Sequence, residues 1–303
     1  MSITIGRPGM LTTVQDQGRN GWQHLGVPVS GPMDWWSHDA ANRLVGNDPR
    51  AATLEVTLIG PELELSRDAI ATVVGAAFEL DVSGRPVVMN RAFAIAAGER
   101  LSFGAREMGA RAYLAFDGGI AVPEVLGSRA THVTASLGGH AGRGLRRGDS
   151  LPLGPARADS GALTGAAAAP PHVEAGVQVV LRAIPGPDAV SDAFWDAPFR
   201  VSPQSDRMGY RLDGAPLPSQ GDHVSAAVAM GTVQATPSGT LVLLMADRAT
   251  SGGYARVATV ITADLPRAGQ LAPGDALRFT RVTHAEAASA FAWMRDSLPD
   301  AAS

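Results

Sequence analysis

Three polar clusters in the chain combine residue types that could bind or transform a small molecule. The first lies in two glycine-rich segments and contains Gln15, Asp16, Arg19 and Ser30. Glycines allow backbone amides to approach a ligand closely, and these side chains offer an amide, a carboxylate, a guanidinium and a hydroxyl. The same residues could instead form turns ahead of a helix capped by Asp34, so both interpretations stay open.

The second cluster follows Ser202 and contains Asp206, Arg207, Tyr210 and Arg211. Arg207 and Arg211 are four positions apart, which predicts that they share a face with Gly209 as a gap between them. Two guanidiniums over a glycine would form a fork for a carboxylate or a phosphate. Asp206 could then pair with one of them or transfer a proton. An exposed Asp–Arg pair without function is the alternative.

The third cluster follows the apolar run 241–245 and contains Asp247, Thr250, Gly252 and Gly253. A carboxylate at a strand end, followed by a hydroxyl and two glycines, is suited to holding a small ligand. An ordinary β-turn would use the same residue types, and the residues alone favour neither interpretation.

Residue types that are absent exclude several mechanisms. All 25 basic residues are arginine and the chain has no lysine, which excludes a Walker-type phosphate loop, a Schiff-base nucleophile and a Ser–Ser–Lys amidase. For the same reason the chain cannot carry its own biotin. It has no cysteine, and its seven histidines form neither HxH nor HExxH, so we expect no metal site. No serine lies in a GxSxG elbow.

The net charge and the distribution of apolar residues limit the binding partners and the cellular location expected for this chain. The net charge is −4 and the isoelectric point is about 6.0, which argues against nucleic acid or an anionic membrane as the main partner. No apolar run approaches the roughly 20 residues of a membrane-spanning helix. Residues 1–9 have no apolar core typical of a signal peptide, so we expect a cytoplasmic protein.

The elements that must position these clusters are mainly strands. Apolar and polar residues alternate in 53–58, 61–65 and 111–116, and 241–245 is a short continuous apolar run. Glycine or proline about every ten residues favours barrels or sandwiches over α/β layers. We predict an N-terminal β domain over 1–153, a linker over 154–175 and a C-terminal β domain over 176–303.

A short phrase recurs and links the two halves: glycine, an acidic residue, any residue, leucine, any residue, then leucine or phenylalanine. It begins at Gly98, Gly148 and Gly274, and each copy predicts a turn that leads into a strand.

Helices are predicted in two places only. One starts after Asp34 and ends near Val45, and the other starts at a Thr283–Glu286 capping box near the C-terminus.

The combined order of the motifs resembles the allophanate hydrolase subunit 2 family over nearly the whole chain, from about Gly6 to Phe279. The motifs are T-T-V-Q-D-x-G-R, G-V-P-x-S-G-x-M-D, A-N-R-L-V-G-N, L-E-V-T-L-x-G-P, S-D-R-M-G-Y-R-L and D-x-x-T-x-G-G-Y. This family includes KipA-type proteins, the C subunit of bacterial 5-oxoprolinase and part of the carboxyltransferase domain of urea carboxylase. The final loop departs from the family pattern at Ala249 and Ala255.

The resemblance implies a mainly β fold of two cyclophilin-like β-barrel domains, with few short helices and one at the C-terminus. It also implies one subunit of an ATP-dependent 5-oxoprolinase that opens 5-oxoproline to glutamate, inactive alone. Its partners would be a KipI-like protein, similar to allophanate hydrolase subunit 1, and a LamB/YcsF-type subunit. Asn42 and Asp247 would hold the amide and take catalytic roles with Asp206, while Arg207 and Arg211 would hold a carboxylate, phosphoryl or carboxyl group.

Two alternatives follow from the same resemblance. The chain could be a carboxyltransferase component acting on a urea-like amide, with carboxybiotin carried on another chain. It could also be a KipA-type antagonist that binds an inhibitor of a histidine kinase without catalysis. All three hypotheses predict that loops from distant parts of the chain meet in a common cleft.

Overall fold

The computed structural model describes residues 1–156, 167–170, 176–188, 191–217 and 223–300. Most of the predicted linker, 154–175, lies outside the described residues. The chain forms two compact units, each treated separately below. The first comprises Met1–Arg19, Ser30–His172 and Leu298–Ser303, and the second comprises Asn20–Val29 and Val173–Ser297.

In its described residues the first unit is one nine-stranded antiparallel sheet with a single helix, which agrees with the prediction of a mainly β chain. Its strands follow the order β2-β3-β8-β4-β1-β9, and β5 pairs with β6, β7 and β8. The elements are β1 Ser2–Arg7, β2 Leu11–Gln15, α1 Trp35–Leu44, β3 Thr53–Thr57, β4 Glu62–Leu65, β5 Ala69–Val82, β6 Arg85–Val87, β7 Phe93–Ile95, β8 Arg100–Phe116 and β9 Ser150–Pro152.

The second unit is a closed seven-stranded barrel, as the sequence predicted for the C-terminal half. The strands follow the order β10-β17-β14-β15-β12-β11-β18, and the parallel pair β10–β18 closes the ring. The elements are β10 Val179–Pro185, α2 Ala193–Asp196, β11 Phe199–Val201, β12 Gly209–Asp213, β13 Ala226–Ala227, β14 Thr232–Ala235, β15 Leu241–Leu244, β16 Ser251–Gly252, β17 Ala255–Val260, α3 Leu265–Gly269, β18 Ala276–Arg281 and α4 His284–Asp296, with 3-10 turns at Gln23–Leu25 and Thr262–Asp264.

The recurring Gly-acid phrase forms the same turn at its three copies. Gly98, Gly148 and Gly274 all have positive φ, at 81°, 88° and 92°, which glycine adopts without strain. The following acidic side chain accepts a hydrogen bond from the backbone N–H three residues before it. Those bonds are Ala96 N to Glu99 Oε2 at 2.7 Å, Arg146 N to Asp149 Oδ2 at 2.7 Å and Ala272 N to Asp275 Oδ2 at 2.8 Å. The predicted turn-to-strand units are therefore confirmed in both halves.

The helix α1 begins where its capping residue predicted. Asp34 Oδ1 accepts from Ser37 N at 2.9 Å, and Asp34 Oδ2 accepts from Ser37 Oγ at 2.6 Å. Asp34 N donates to Tyr113 Oη, which in turn donates to Glu55, both at 2.8 Å. Burial raises the pKa of Tyr113 well above its usual value, and the neighbouring Glu55 adds to the shift. The buried network ties the helix start to β3 and β8.

Side chains on one face of the barrel wall form the apolar core, and polar side chains lie on the other face. Tyr210, Leu243 and Val233 are aligned on neighbouring strands and are each 2% exposed or less. The intervening row, Arg211 and Gln234 on either side of Val242, points away from that core. The run 241–245 was predicted to be buried on both faces, but Val242 and Leu244 are only half-buried, because they line a surface cleft.

The C-terminal helix α4 starts at the predicted capping box. Glu286 N donates to Thr283 Oγ1 at 3.2 Å, and Thr283 N donates to Glu286 Oε2 at 2.7 Å. Met294 is buried on this helix, whereas Trp293 is 71% exposed. No helix in the part of the chain that the structure describes has the length and apolar character needed to cross a membrane.

Candidate functional site

A cleft of about 340 Å³ lies on the outer face of the barrel and brings the second and third predicted clusters together. We call it the barrel cleft. It is lined by Gln204, Asp206, Met208, Gly209, Arg211, Gln234, Thr236, Val242, Leu244, Arg248, Ala249 and Tyr254. The cleft therefore combines two guanidiniums, one carboxylate, one buried carboxamide and a phenol over an apolar floor.

A buried ion pair fixes the chain on one side of this cleft. The Arg207 guanidinium donates to both Asp247 carboxylate oxygens, with Nε–Oδ2 at 3.0 Å and Nη2–Oδ1 at 3.1 Å. The two side chains are 6% and 4% exposed. The backbones are also joined, since Asp247 N donates to Arg207 O at 2.8 Å. This bidentate pair holds the segment before β12 against the segment after β15.

Arg207 and Arg211 do not form the predicted fork. The strand β12 starts at Gly209, so the alternation that would align the two arginines does not extend back to Arg207. Arg207 is buried on Asp247, while Arg211 lines the barrel cleft. Gly209 does not provide a ligand gap either, because a Cβ there would lie 2.9 Å from Val242 Cγ1. The glycine is needed for close packing of β12 against β15.

Asp206 and Tyr210 have different environments. Asp206 lines the cleft, and its Oδ1 accepts from Met208 N at 2.8 Å and from Gly209 N at 3.3 Å. Its Oδ2 makes no hydrogen bond within the described ranges, so this oxygen is open to a ligand. Tyr210 is 2% exposed and belongs to the barrel core, so its aromatic ring packs inside the barrel.

The motifs did not identify Gln234, which is the buried carboxamide of the barrel cleft. It is 5% exposed, and its Nε2 has no hydrogen-bond partner among the residues that the structure describes. A Cβ on Gly252 would lie 2.7 Å from this nitrogen, so the predicted Gly252 leaves room for the amide. A glutamine between Val233 and Ala235 in the strand 232–235 was the sequence signal that could have revealed it.

Arg248 provides the second guanidinium of the barrel cleft, and it was not among the residues predicted from the third cluster although it directly follows Asp247. Its Nε donates to Val228 O at 3.2 Å, and it forms no ion pair with another described residue. Burial lowers the pKa of Arg248 below its usual value. Arg211 likewise forms no ion pair within the described chain, so the cleft presents two guanidiniums without acidic partners.

The remaining predicted residues of the third cluster lie beside the barrel cleft. Thr250 is half-buried, and its carbonyl accepts from Val228 N at 3.2 Å. Gly252 pairs with Ala226 across β13 and β16. A Cβ on Gly253 would be 3.2 Å from Ser225 Oγ and would not approach Gln234. The two glycines therefore have different neighbours, although they are adjacent in sequence.

In the first unit, Asp16 and Arg19 join loops that are far apart in sequence. Asp16 Oδ1 accepts from Gly18 N at 2.9 Å and from Ser128 Oγ at 2.6 Å, and its Oδ2 accepts from Arg129 N. Arg19 is fully buried and donates from Nε to Val125 O at 3.1 Å and from Nη2 to Ala130 O. Both side chains thus hold residues 125–130 against the segment after β2.

Gln15 and Ser30 each retain a buried polar atom without a hydrogen-bond partner in the described chain. Gln15 Nε2 donates to Thr13 Oγ1 at 3.0 Å and to Thr131 O at 3.1 Å, which leaves its Oε1 unbonded. Ser30 Oγ is also unbonded, and Ser30 has a φ of 59°, a conformation that costs a non-glycine residue energy. Unbonded buried polar atoms are costly, which keeps both residues candidates for ligand binding.

Asn42 lies inside the first unit on α1. Its Nδ2 donates to Ala51 O at 2.8 Å and more weakly to Pro49 O at 3.4 Å, while its Oδ1 accepts from Asn47 Nδ2 at 3.2 Å. The side chain is fully buried. These bonds position the loop after α1, and a catalytic role for Asn42 stays a prediction, as does the common cleft for all three clusters.

The barrel cleft can bind a small molecule that carries both a carboxylate and an amide. Arg211 and Arg248 can donate to a carboxylate, and the Gln234 carboxamide can hydrogen-bond to an amide. Within the described residues no cluster of three or more histidine, aspartate or glutamate side chains could hold a metal ion.

The sequence and the fold place this chain in a defined class. Residues 25–281 match the profile of the carboxyltransferase domain, subdomains A and B, and the chain belongs to this family. The chain aligns with the crystal structure of the urea amidolyase of K. lactis at a TM-score of 0.87 and 29% identity. That alignment covers 98% of the chain and 20% of the yeast protein.

Among bacterial relatives, the chain is similar to the C subunit of 5-oxoprolinase from Escherichia coli, with 38% identity over 95% of this chain and 94% of that protein. The corresponding protein of Haemophilus influenzae is 33% identical, with coverage of 91% and 90%. The urea amidolyase of Lachancea kluyveri is 34% identical, and there the chain spans 17% of the relative's length. The chain thus matches nearly the full length of a subunit of one enzyme and a single region of the other.

Proposed function

We propose that this chain is a subunit of an ATP-dependent 5-oxoprolinase, which opens 5-oxoproline to glutamate. The observation that carries the proposal is the barrel cleft, where two guanidiniums without acidic partners among the described residues flank a buried carboxamide. Similarity to the C subunit of the Escherichia coli 5-oxoprolinase, along 94% of its length, supports the same assignment.

The cleft is complementary to the two polar groups of 5-oxoproline. Its carboxylate would receive charge-assisted hydrogen bonds from Arg211 and Arg248. Its ring amide would hydrogen-bond to the carboxamide of Gln234. The apolar ring carbons would contact Val242 and Leu244 on the cleft floor. A site of about 340 Å³ is of the size expected for a small ligand.

Ring opening requires water, a proton transfer and the energy of ATP. Water adds to the ring carbonyl carbon, the carbon–nitrogen bond breaks, and the nitrogen takes up protons as the free amine of glutamate. Asp206 is the carboxylate that lines the cleft with one oxygen unbonded to the described chain, so we assign it the proton transfer. Asp247 would act by holding Arg207 and the cleft wall in place.

The assembly must supply what this chain lacks. Without lysine the chain cannot form a Walker-type loop, so ATP would be bound by the complex. A KipI-like protein is the expected direct partner, and a LamB/YcsF-type subunit would complete the enzyme. Purified alone, the chain should bind 5-oxoproline without turning it over.

A carboxyltransferase component is the second candidate, favoured by the structural similarity to the urea amidolyase of K. lactis. In that case the barrel cleft would hold a urea-like amide, and carboxybiotin would be carried on another chain, since this one has no lysine. A KipA-type antagonist without catalysis is the third. Unlike the other two, it predicts tight binding to a KipI-like protein with no turnover of 5-oxoproline or of a urea-like amide by the complex.

The deciding experiment is reconstitution from genes that neighbour this one. Co-purified with a KipI-like and a LamB/YcsF-type protein, the chain should produce glutamate, ADP and phosphate from 5-oxoproline and ATP. In the same complex, Arg211→Met should raise KM for 5-oxoproline, while Asp206→Asn should lower kcat. Consumption of carboxybiotin with urea, and no glutamate from 5-oxoproline, would assign the carboxyltransferase function instead.

A further inference from the structure

A second cleft, of about 360 Å³, lies in the same unit as the barrel cleft. We call it the loop cleft, because a loop of the N-terminal half contributes part of its lining. The lining residues are Gln23, Pro28, Val29, Ala227, Val228, Ala229, Arg248, Ala249 and Thr250. Residues 20–29 belong to this unit although the rest of the first 150 residues do not.

Arg248 and Ala249 line both clefts, so one guanidinium serves two neighbouring cavities. Arg248 Nε donates to Val228 O on the side of the loop cleft at 3.2 Å. The wall is held by Val228 N, which donates to Thr250 O at 3.2 Å, and by the pairing of β13 with β16. This anchoring leaves both terminal guanidinium nitrogens of Arg248 available to a ligand, because the described chain gives them no partner.

The charge balance of the loop cleft favours an anion. None of its lining residues is acidic, and Arg248 is partly buried without a carboxylate partner in the described chain. A guanidinium withdrawn from water without a counter-charge is costly, and burial accordingly lowers the pKa of Arg248. An anionic ligand would supply the missing charge.

Two further hydrogen-bond donors line the loop cleft. The Thr250 hydroxyl is bonded to no other described residue, and it lies two positions from Arg248. Gln23 Oε1 accepts from Gly21 N at 2.8 Å, which orients this amide and leaves its NH2 group free of the described chain. A guanidinium, a hydroxyl and an amide NH2 form a donor set suited to the oxygens of a tetrahedral or planar oxyanion.

We propose that the loop cleft is a binding site for a small oxyanion, phosphate foremost, with Arg248, Thr250 and Gln23 as its ligand-binding residues. The identity of the biological ligand rests on the proposed function, in which ATP is cleaved and a phosphoryl group must be held near the amide. Arg248 would then contact the substrate carboxylate through one cleft and the phosphoryl oxygens through the other. Binding of the free ion depends only on this chain.

Calorimetric titration of the full chain with inorganic phosphate at constant ionic strength tests the proposal, because screening weakens such interactions. Arg248→Met should weaken phosphate binding about tenfold or more, as expected for loss of a charge-assisted contact. Thr250→Val, which keeps the shape and removes the hydroxyl, should weaken it by about threefold to tenfold. Arg211→Met is the matched control, since Arg211 lines only the barrel cleft, and it should leave phosphate affinity unchanged.

The same variants titrated with 5-oxoproline should give a different pattern, in which the effects of Arg211→Met and Thr250→Val are exchanged. Arg211→Met and Arg248→Met should both weaken 5-oxoproline binding, and Thr250→Val should not. Bicarbonate in place of phosphate distinguishes a carboxyl from a phosphoryl ligand, because tighter binding of bicarbonate would assign the cleft to carboxyl transfer. Circular dichroism confirms folding of each variant, and Thr250→Val provides the result if Arg248→Met is unfolded.

Three outcomes would overturn the loop-cleft proposal. The first is that the folded wild-type chain does not bind phosphate. The second is that Arg211→Met and Arg248→Met lose phosphate affinity to the same extent. The third is that Thr250→Val binds phosphate with unchanged affinity. Each leaves the proposed function intact if the reconstituted complex still forms glutamate. Conversely, phosphate binding with the predicted variant pattern, but without turnover of 5-oxoproline, would contradict the proposed function alone.

Discussion

The Arg207 guanidinium and the Asp247 carboxylate form a buried bidentate ion pair, with nitrogen–oxygen distances of 3.0 and 3.1 Å. Forty positions separate the two residues in sequence. The pair joins the segment before β12 to the segment after β15, and it thereby sets the position of Asp206 and Arg248 on either side of the barrel cleft. The two residues that the motifs singled out as binding groups are bonded to each other.

Removal of one partner of this pair should destabilise the protein. Asp247→Ala removes the carboxylate that accepts both of these hydrogen bonds from Arg207, and breaking a buried ion pair costs about 3–5 kcal/mol in the free energy of unfolding. Chemical denaturation followed by circular dichroism measures this loss. The double variant Arg207→Met with Asp247→Leu should recover most of it, because apolar side chains then replace both charges of the pair. A loss below about 1 kcal/mol for Asp247→Ala would show that the pair is not structural.

The buried Gln234 side chain should lower the free energy of unfolding of the protein and also contribute to binding of 5-oxoproline. Replacement by leucine removes a buried amide whose Nε2 is unbonded in the described chain, so the free energy of unfolding should stay the same or rise by about 1 kcal/mol. Calorimetry with 5-oxoproline should show weaker binding, because the group that contacts the ring amide is lost. A variant that is destabilised and binds normally would assign Gln234 a purely structural role.

Gly252 should be required for the Gln234 carboxamide to keep its position. An added Cβ would lie 2.7 Å from Gln234 Nε2, so Gly252→Ala should displace the amide and weaken 5-oxoproline binding with little change in melting temperature. Gly253→Ala is the matched control, because its Cβ would approach Ser225 Oγ at 3.2 Å and not Gln234. Equal affinities for the two variants would contradict a role for the Gln234 amide in recognition.

Stability should fall below neutral pH because of His38. This residue is fully buried, and burial lowers its pKa, so the folded protein favours the neutral imidazole. The unfolded chain binds the proton more readily, so the free energy of unfolding should decrease as pH falls below about 6.5. The loss should level off once pH is below the pKa of the folded state, where both states bind the proton.

His38→Gln should reduce this pH dependence, which urea unfolding between about pH 7.5 and pH 5 would measure. The exposed His24 provides the control, since His24→Gln should leave the slope unchanged. An identical slope in the wild-type chain and in His38→Gln would show that other groups cause the acid sensitivity.

Local features were predictable because neighbouring residues determine them. The start of α1 at Asp34, the capping box at Thr283 and the turns at the repeated Gly-acid phrase depend on hydrogen bonds between residues close in sequence. The alternation in 53–58 and 111–116 likewise predicted strands, which the structure has as β3 and the end of β8. Such patterns appear directly in the order of the side chains.

The composition of the candidate site was only partly predictable. Arg211 and Asp206 were identified from their motif and line the barrel cleft, whereas Arg207 is bonded to Asp247. Gln234 and Arg248 were overlooked, because a single glutamine in a strand and one more arginine in a loop resemble ordinary surface residues. Whether such a residue is buried, and whether it has a partner, depends on strands distant in sequence.

By itself the sequence determined the β-rich class, the turn units, the helix caps and the family, together with the chemistry that an absence of lysine excludes. Only the tertiary structure decided which polar groups are bonded and which are open to a ligand. The physical reason is that an ion pair such as Arg207–Asp247 forms only when β12 pairs with β15, which brings the segments beside these two strands together. No spacing along the chain encodes that approach.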